Sequence, residues 1–439
     1  MNFVHASDFH LGYVQYGLSE RFRDFARAFD RVVDYTIQSD AKFLLIVGDL
    51  FHKRNINAPT YMQSFKILKK LRDRGIQVYA IEGNHDLAYR RDTNSWLQIL
   101  DAQGLLKLIK IKPIADCGVE LMGDFVDVDG VRIFGVRYLG SQTRNTIPKI
   151  AEEIGAINDR FECGSGKPDY TLLMMHFGME GVIGASGIGE VSYNSLLPLR
   201  DVVDYLALGH YHIQYEYDGW IFNGGSCEMV SMSEHKKPKG FYHVVDGKAS
   251  FQKAAPRPVE RFGIDTSDIL SLQDLYSTVG SVIGGVPCTD PDPSAEPLVE
   301  IMLHGDLKFP RTDISIEKIK EIVSAHITSL WVNVKVIDTK EPVGVDCRSD
   351  VSRSEIERSV IEEMVKGTQH RRHLKDVVEM IIEAKQLAVT GTDPETILER
   401  LQGSFDAIRG EDGGSEQTDL PFGSGGMDDR DNRGGADVD

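Results

Sequence analysis

The sequence predicts an α/β chain. The prediction rests on three features: strand-length runs of consecutive apolar residues, an amphipathic helical stretch between the first two of them, and a set of Asp, Asn and His residues that follow the run ends. The first run, Asn2 to Ser7, is followed by Phe22, Phe25, Ala26, Phe29, Val32 and Val33 at helical spacing. Phe43-Leu44-Leu45-Ile46-Val47 is a wholly apolar strand that ends in Gly48-Asp49. Gln77 to Ile81, Tyr170 to Met175 and Val203 to Leu208 read as further strands, and Asp129-Gly130 reads as a hairpin turn before Val131-Arg132-Ile133. Continuous apolar strands are buried on both faces, which predicts a sheet covered by helices.

Past the proline-bearing stretch 254–258 the style changes. A helix near Ile269–Val279, a strand near Leu298–Leu303, a helix carrying Ile316, Ile319, Ile322, Val323 and Ile327, and a strand Trp331–Ile337 predict a small α+β unit. From 351 the chain reads as helical. One apolar stripe holds Ile356, Val360, Ile361, Met364 and Val365, another holds Leu374, Val377, Val378, Ile381 and Ala384, and Asp393-Pro394 starts a third helix. Such short helices have little core of their own and are expected to bury their stripes against a partner or back on the body. The tail from Gly410 is rich in Gly and Asp and is expected to be disordered.

Length and composition bound the function. At 439 residues with 41% apolar content the chain should hold two or three domains with real cores. The five cysteines form no CxxC pair, which argues against a structural zinc site and for a reducing cytoplasm. The opening run reads as a strand, so no signal peptide is expected, and no apolar stretch approaches the roughly 18 residues of a membrane span. Net charge is −18, of which residues 406–439 carry −7. An acidic chain is not the usual footprint of a DNA binder, but bound cations and local basic clusters can supply phosphate recognition.

The chemistry lies in five islands: Asp8-Phe9-His10, Gly48-Asp49, Gly83-Asn84-His85-Asp86, His176 and Gly209-His210-Tyr211-His212. Asp, Asn and His bind divalent metals through oxygen and imidazole nitrogen, and α/β sheets place sites beyond the C-terminal ends of strands. In extended backbone, residues i and i+2 point the same way, so Asp8/His10 and His210/His212 can each aim two ligands at one volume. One ion could take Asp8, His10 and His212, a second Asn84, His176 and His210, with Asp49 as the shared carboxylate. Mixed nitrogen and oxygen ligation suits Mn²⁺, Fe²⁺ or Zn²⁺ better than Mg²⁺ or Ca²⁺. Any one of these residues alone would read as structural; the joint pattern is what points to a site that activates water against a phosphodiester. His52 and His85 lie beside the islands and are not needed as ligands; such imidazoles can orient phosphate or protonate a leaving oxygen. Asp86 is an orienting partner or a turn former. Lys53, Arg54, Arg90, Arg91 and the Lys236-Lys237-Pro238-Lys239 run are phosphate contacts or ordinary solvated charges. His5, His235, His243, His304 and His326 read as structural. Gly164-Ser165-Gly166-Lys167 fails as a phosphate loop because Pro168 replaces the Ser/Thr, and Phe125 spoils a calcium loop at Asp127–Gly130.

These islands, in this order, resemble the calcineurin-like metallophosphoesterases, and within them the archaeal Mre-eleven DNA repair nucleases. In Gly48-Asp49-Leu50-Phe51-His52 the histidine stands where phosphatases of the superfamily usually carry a second Asp. The resemblance implies a metallophosphoesterase β-sandwich flanked by helices, spanning 1–250. It also implies a DNA-capping α+β domain at 257–340, a helical segment at 350–404 that binds a Rad-fifty-type coiled-coil ATPase, and an acidic disordered tail at 405–439. It implies two Mn²⁺ ions per subunit on Asp8, His10, Asp49, Asn84, His176, His210 and His212, with His85 as the catalytic acid and His52 positioning phosphate. The activity implied is a three-prime to five-prime exonuclease on double-stranded DNA and an endonuclease on single-stranded DNA, in double-strand break repair. A homodimer through the nuclease domain and a cytoplasmic, nucleoid-associated place in an archaeal cell go with it. The rival reading is a phosphatase or small-molecule phosphodiesterase of the same fold.

Overall fold

The computed structural model describes residues 1–89, 92–110, 112–114, 118–120, 125–161, 168–182, 190–285, 296–338, 358, 361–362, 365, 373–389, 398 and 401–402. It falls into two compact units, Met1–Asp338 and Thr339–Asp439. In chain order the strands are β1 (Asn2–Ala6), β2 (Phe43–Val47), β3 (Gln77–Ile81), β4 (Lys107–Leu108), β5 (Lys112–Ile114), β6 (Gly118–Glu120), β7 (Phe125–Val128), β8 (Val131–Val136), β9 (Tyr170–His176), β10 (Tyr205–Gly209), β11 (Tyr215–Tyr217), β12 (Ile221–Asn223), β13 (Gly240–Val245), β14 (Lys248–Lys253), β15 (Val259–Asp265), β16 (Leu298–Gly305) and β17 (Trp331–Asp338). The helices of the first unit are α1 (Ser19–Gln38), α2 (Ala58–Arg72), α3 (Trp96–Ala102), α4 (Thr143–Phe161), α5 (Tyr193–Arg200), α6 (Leu272–Gly284) and α7 (Ile316–His326).

Two six-stranded sheets form the body, in the orders β14-β13-β1-β2-β3-β4 and β11-β12-β10-β9-β8-β7. β1 to β4 run parallel, as do β12, β10, β9 and β8, while the outer strands are antiparallel. The period-2 alternation of β2 shows how the layers stack. Phe43, Leu45 and Val47 meet Leu172, Met174, Tyr205 and Ala207 of the other sheet. Leu44 and Ile46 turn outward under Phe29, Val32 and Val33 of α1 and Leu68 of α2. On the far side, Leu173, Met175, Leu206 and Leu208 pack with Ile147, Ile150 and Ile154 of α4 and Leu196 of α5. The apolar strands are therefore buried on both faces, but the second cover is another sheet rather than more helices. The result is an α/β sandwich flanked by helices.

The layering sets the site. β1, β2, β3, β9 and β10 all end at one edge, where the following loops cross-link. Asp8 N–H donates to the Gly48 carbonyl (3.1 Å), His10 N–H to Asp49 (3.0 Å), Leu11 N–H to Leu50 (2.9 Å) and His52 N–H back to Leu11 (3.0 Å). The Asp129-Gly130 turn joins β7 to β8 with both residues at positive φ (48° and 78°), as a two-residue hairpin of this twist requires.

A third sheet, β15-β16-β17, is wholly parallel. One face carries Phe262, Ile264, Val299, Ile301 and Leu303 into a separate core under Leu275, Val279, Ile319 and Val323 of α6 and α7. β15 was not among the sequence expectations. The opposite face is polar: Arg261 pairs with the fully buried Glu300 (2.7 Å), which also takes Lys335 (2.8 Å) and Asn333 (3.1 Å). A buried ionic cluster ties this sheet to the body. Arg257 holds Asp24 of α1 (2.6 and 3.0 Å) and gives its N–H to Glu228, while Arg21 binds both Asp24 (2.6 Å) and Glu228 (3.0 Å). Tyr16 stacks on Trp331 with ring centres 3.8 Å apart.

In the second unit, the helix Leu374–Val389 buries Val377 and Val378 against Val365, with Ile361, Leu374 and Ile382 partly covered, and leaves Ile381 exposed. The expected stripe thus finds part of its cover within its own segment. The helix at Asp393-Pro394 and the tail from Gly410 lie outside the described residues. Among the described residues no helix is long and apolar enough to cross a membrane.

Candidate metal centre

The structure brings all seven expected ligands together at the strand ends. Asp8, His10 and His212 form one group of converging donor atoms, and Asp49, His176 and His210 form another. Asn84 joins the second, its Oδ1 lying 3.0 Å from His210 Nδ1 and 3.3 Å from His176 Nε2. Asp49 Oδ2 is 3.3 Å from His176 Nε2, and the other oxygen, Oδ1, accepts the His85 N–H at 2.9 Å. His10 Nε2 and His212 Nε2 face each other at 3.0 Å. His10, His52 and His85 form a third group, with ring centres 5.0 to 5.5 Å apart.

The local geometry departs from the extended backbone expected for the two i, i+2 pairs. β1 ends at Ala6, and Asp8 (φ 55°), His10 (48°), Asp49 (51°) and His210 (94°) all lie in the left-handed region. Such a residue costs of order 1–3 kcal/mol and persists where its surroundings hold it. Here the restraint is the cross-loop hydrogen bonding, together with Asp8, whose carboxylate accepts the His210 N–H (3.1 and 3.2 Å) and the Ser7 hydroxyl (2.5 Å). Glycines make the close approach possible. A Cβ on Gly83 would sit 2.2 Å from Asp49 Oδ1, one on Gly48 2.2 Å from the His176 ring, and one on Gly209 2.2 Å from the Val47 carbonyl.

The donor set fits divalent cations. His176 Nδ1–H donates to the Val47 carbonyl at 2.9 Å, so that in the neutral ring Nε2 aims a lone pair at two oxygen acceptors, Asp49 Oδ2 and Asn84 Oδ1. Lone pairs facing lone pairs in a buried site call for positive charge among them. The titration tendencies agree. Burial drives the Asp8 carboxyl up, against the pull of His176 and His212. Burial pushes Asp49 the same way, but His176, His10 and His85 hold it well below the usual carboxylate range. Burial works to lower His176, yet Asp49 raises it to about 9. Burial and then the neighbouring imidazoles lower His210 to about 4 and His10 well below its ordinary value. Burial keeps His10 and His210 neutral, while Asp49 draws a proton onto His176; a cation can take that proton's place between the carboxylate and the ring.

His85 and His52 stand beside this cluster, both half-buried. His85 Nδ1 donates to the His52 carbonyl at 2.6 Å, so its Nε2 is the free atom. His52 stacks on Tyr13, centres 3.8 Å apart, and burial, followed by His85 and Lys53, lowers its pKa to about 4.

Other expectations are corrected or refined. Asp86 does not orient His85. Its buried carboxylate accepts the N–H groups of Phe51 (3.0 Å), Gly83 (3.0 Å) and Leu50 (3.3 Å), bracing the two loops that carry Asp49 and Asn84. Lys239 is no phosphate contact: it is buried, with Nζ bonded to the His212 carbonyl, Ser226 Oγ and Glu234. Arg54 donates to the Asn84 carbonyl (3.3 Å), Lys53 is exposed, and Arg90 and Arg91 lie outside the described residues. His5 is structural, between Tyr205 OH (2.9 Å) and the Leu208 carbonyl (3.0 Å). His235 lies against Arg261 at 3.3 Å. Sequence reasoning missed Glu234, whose carboxylate lies 3.0 Å from His212 Nδ1. It sits in a short polar turn of the chain that no pattern marks.

Comparison with known proteins agrees with this geometry. Residues 1–214 match the calcineurin-like phosphoesterase family model. The chain is similar to proteins named DNA double-strand break repair protein Mre11. It is 29% identical to that of Archaeoglobus fulgidus over 64% of this chain and 65% of the relative, and 25% identical to that of Methanosarcina mazei over 92% and 60%. With that of Methanococcus maripaludis it shares 30% identity over 55% and 62%. The chain thus spans 60 to 65% of the length of these relatives. The match to the calcineurin-like phosphoesterase model lies over the strands and loops that carry all seven clustered donors.

Proposed function

We propose that this chain is a Mn²⁺-dependent DNA nuclease that processes broken ends as a three-prime to five-prime exonuclease on duplexes and an endonuclease on single strands. The observation that carries the reading is the cluster itself: seven oxygen and nitrogen donors converge on one edge, with a pinned imidazole, His85, at its margin. The similarity to Mre11 proteins of archaea supports DNA as the polymer. Asp8, His10 and His212 would hold one ion and Asn84, His176 and His210 the other, with Asp49 shared. Bound there, the ions would neutralise phosphate oxygens and supply hydroxide near neutral pH.

The remaining chemistry belongs to the chain. His85 protonates the leaving oxygen from Nε2, because Nδ1 is committed to the His52 carbonyl. His52, fixed against Tyr13, orients the scissile phosphate. The loops braced by Asp86 hold Asp49 and Asn84 in register with His176. DNA is held mainly through phosphates, with little sequence preference, and exposed Lys53 lies beside the site. The residues from 257 to 340 form the DNA-capping domain, residues 350–404 bind a Rad-fifty-type coiled-coil ATPase, and the nuclease domains pair as a homodimer.

Digestion of linear duplex DNA in Mn²⁺, alone and with the ATPase, tests the reading. Release of nucleotides from three-prime ends is expected. A protein that leaves DNA intact but hydrolyses aryl phosphodiesters would instead be a small-molecule phosphodiesterase of the same fold.

A further inference from the structure

The described imidazoles of the cluster are held in different ways. His176 and His85 give Nδ1–H to main-chain carbonyls, whereas His212 Nδ1 meets a carboxylate, Glu234 Oε1, at 3.0 Å. Glu234 is itself tied down: its Oε2 accepts the Val230 N–H at 3.2 Å and the Lys239 ammonium. Lys239 places its other two protons on the His212 carbonyl and on Ser226 Oγ, both at 2.8 Å. An ammonium has three donors, and all three are used on this one loop. The Lys239 side chain is 1% exposed and that of Glu234 is 12% exposed.

A buried ion pair of this kind is rarely retained for stability, since apolar residues of similar volume often do as well. Its geometry gives another reason. The carboxylate fixes the proton of His212 on Nδ1 and leaves the lone pair on Nε2, which faces His10 Nε2 at 3.0 Å. The ammonium fixes the main chain of the same residue. Ring and backbone of one ligand are therefore set by one pair of charges.

We propose that Glu234 and Lys239 act as a paired positioning device for His212, fixing its tautomer and aiming Nε2 into the cluster formed with Asp8 and His10. The effect on metal affinity rests on the two-metal reading of the site; the effect on the tautomer does not.

The test uses the full chain and compares Glu234→Gln with the double variant E234M/K239M. The double variant removes the pair without leaving a buried unpaired charge. Free Mn²⁺ is followed by electron paramagnetic resonance during titration, and the ring nitrogens of His212 by ¹⁵N resonance in metal-free protein. The unaltered chain is expected to bind two Mn²⁺. The double variant should weaken one of the two by about 10–100-fold, spare the other, and mix the His212 tautomers. Glu234→Gln keeps an acceptor for Nδ1–H and should hold the tautomer. Unchanged affinities and an unchanged tautomer in the double variant would overturn the proposal while leaving the metal centre standing. An unaltered chain that binds no Mn²⁺, with the tautomer still shifting in the variant, would uphold the positioning role and overturn the metal reading instead.

Discussion

At the scale of single residues, the proposed chemistry turns on which nitrogen each histidine has free. His85 spends Nδ1 on the His52 carbonyl and leaves Nε2 free for the proton transfer we propose. Glutamine at position 85 cannot donate a proton from a titratable group, so His85→Gln should slow DNA cleavage by at least about 100-fold while both Mn²⁺ sites stay filled. Single-turnover cleavage beside a metal titration reads this directly. His5 shows the opposite use of an imidazole. Both its nitrogens are occupied, and burial lowers its pKa from 6.5 to about 4, only partly offset by its bond to Leu208. Its folded pKa is depressed, so the unfolded chain binds the proton first. The stability it confers is complete above pH 6.5 and is lost progressively as pH falls towards 4, by roughly 3 kcal/mol. Denaturant midpoints measured at pH 7 and pH 4.5 should differ less in His5→Gln than in the unaltered chain. The seven donors and the two auxiliary histidines were legible because Asp, Asn and His follow apolar runs beside glycines. Glu234 and the true role of Asp86 were not, because each acts through a hydrogen bond to a loop distant in sequence or to main-chain N–H groups.

At the scale of elements, the site is a set of tight loops beyond parallel strands. β2 was read to the residue because every position is apolar and Gly48-Asp49 follows, and β3 because Val78 to Ile81 form one buried run shortly before Gly83-Asn84. The conformation beyond them was not readable, since four left-handed, non-glycine residues depend on hydrogen bonds between separate loops. α4 also went unread, although Ile147, Ile150, Ile154 and Ile157 carry its spacing, because Pro148 sits within it. β15 offers its core just Phe262 and Ile264, and its other face is polar. The glycines give a sharp prediction. Gly83→Ala would press a methyl against the Asp49 carboxylate and main chain, and should cost about 1–3 kcal/mol and displace that carboxylate. Calorimetric melting with and without Mn²⁺ should show the metal-dependent rise in Tm shrink or vanish. An alanine variant that gains the full rise would mean the loops are less constrained than described.

At the scale of the whole molecule, the third sheet is joined to the body through charge rather than through a shared apolar core. Arg257→Met would leave Asp24 with Arg21 as its main buried counter-charge, while the main-chain N–H of residue 257 stays on Glu228. It should cost about 3–5 kcal/mol in denaturant unfolding and open the 254–258 segment to proteolysis. Deletion from residue 350 should abolish association with the ATPase in a pull-down and spare Mn²⁺-dependent cleavage; retained association would refute the assignment of that segment. On the proposed function, two divalent cations share one carboxylate at the sandwich edge. Anomalous scattering from Mn²⁺-soaked crystals tests it most directly. Two peaks are predicted, one against Asp8, His10 and His212, the other against Asn84, His176 and His210, with Asp49 reaching both. A single peak, or ions that leave Asp49 unliganded, would contradict it.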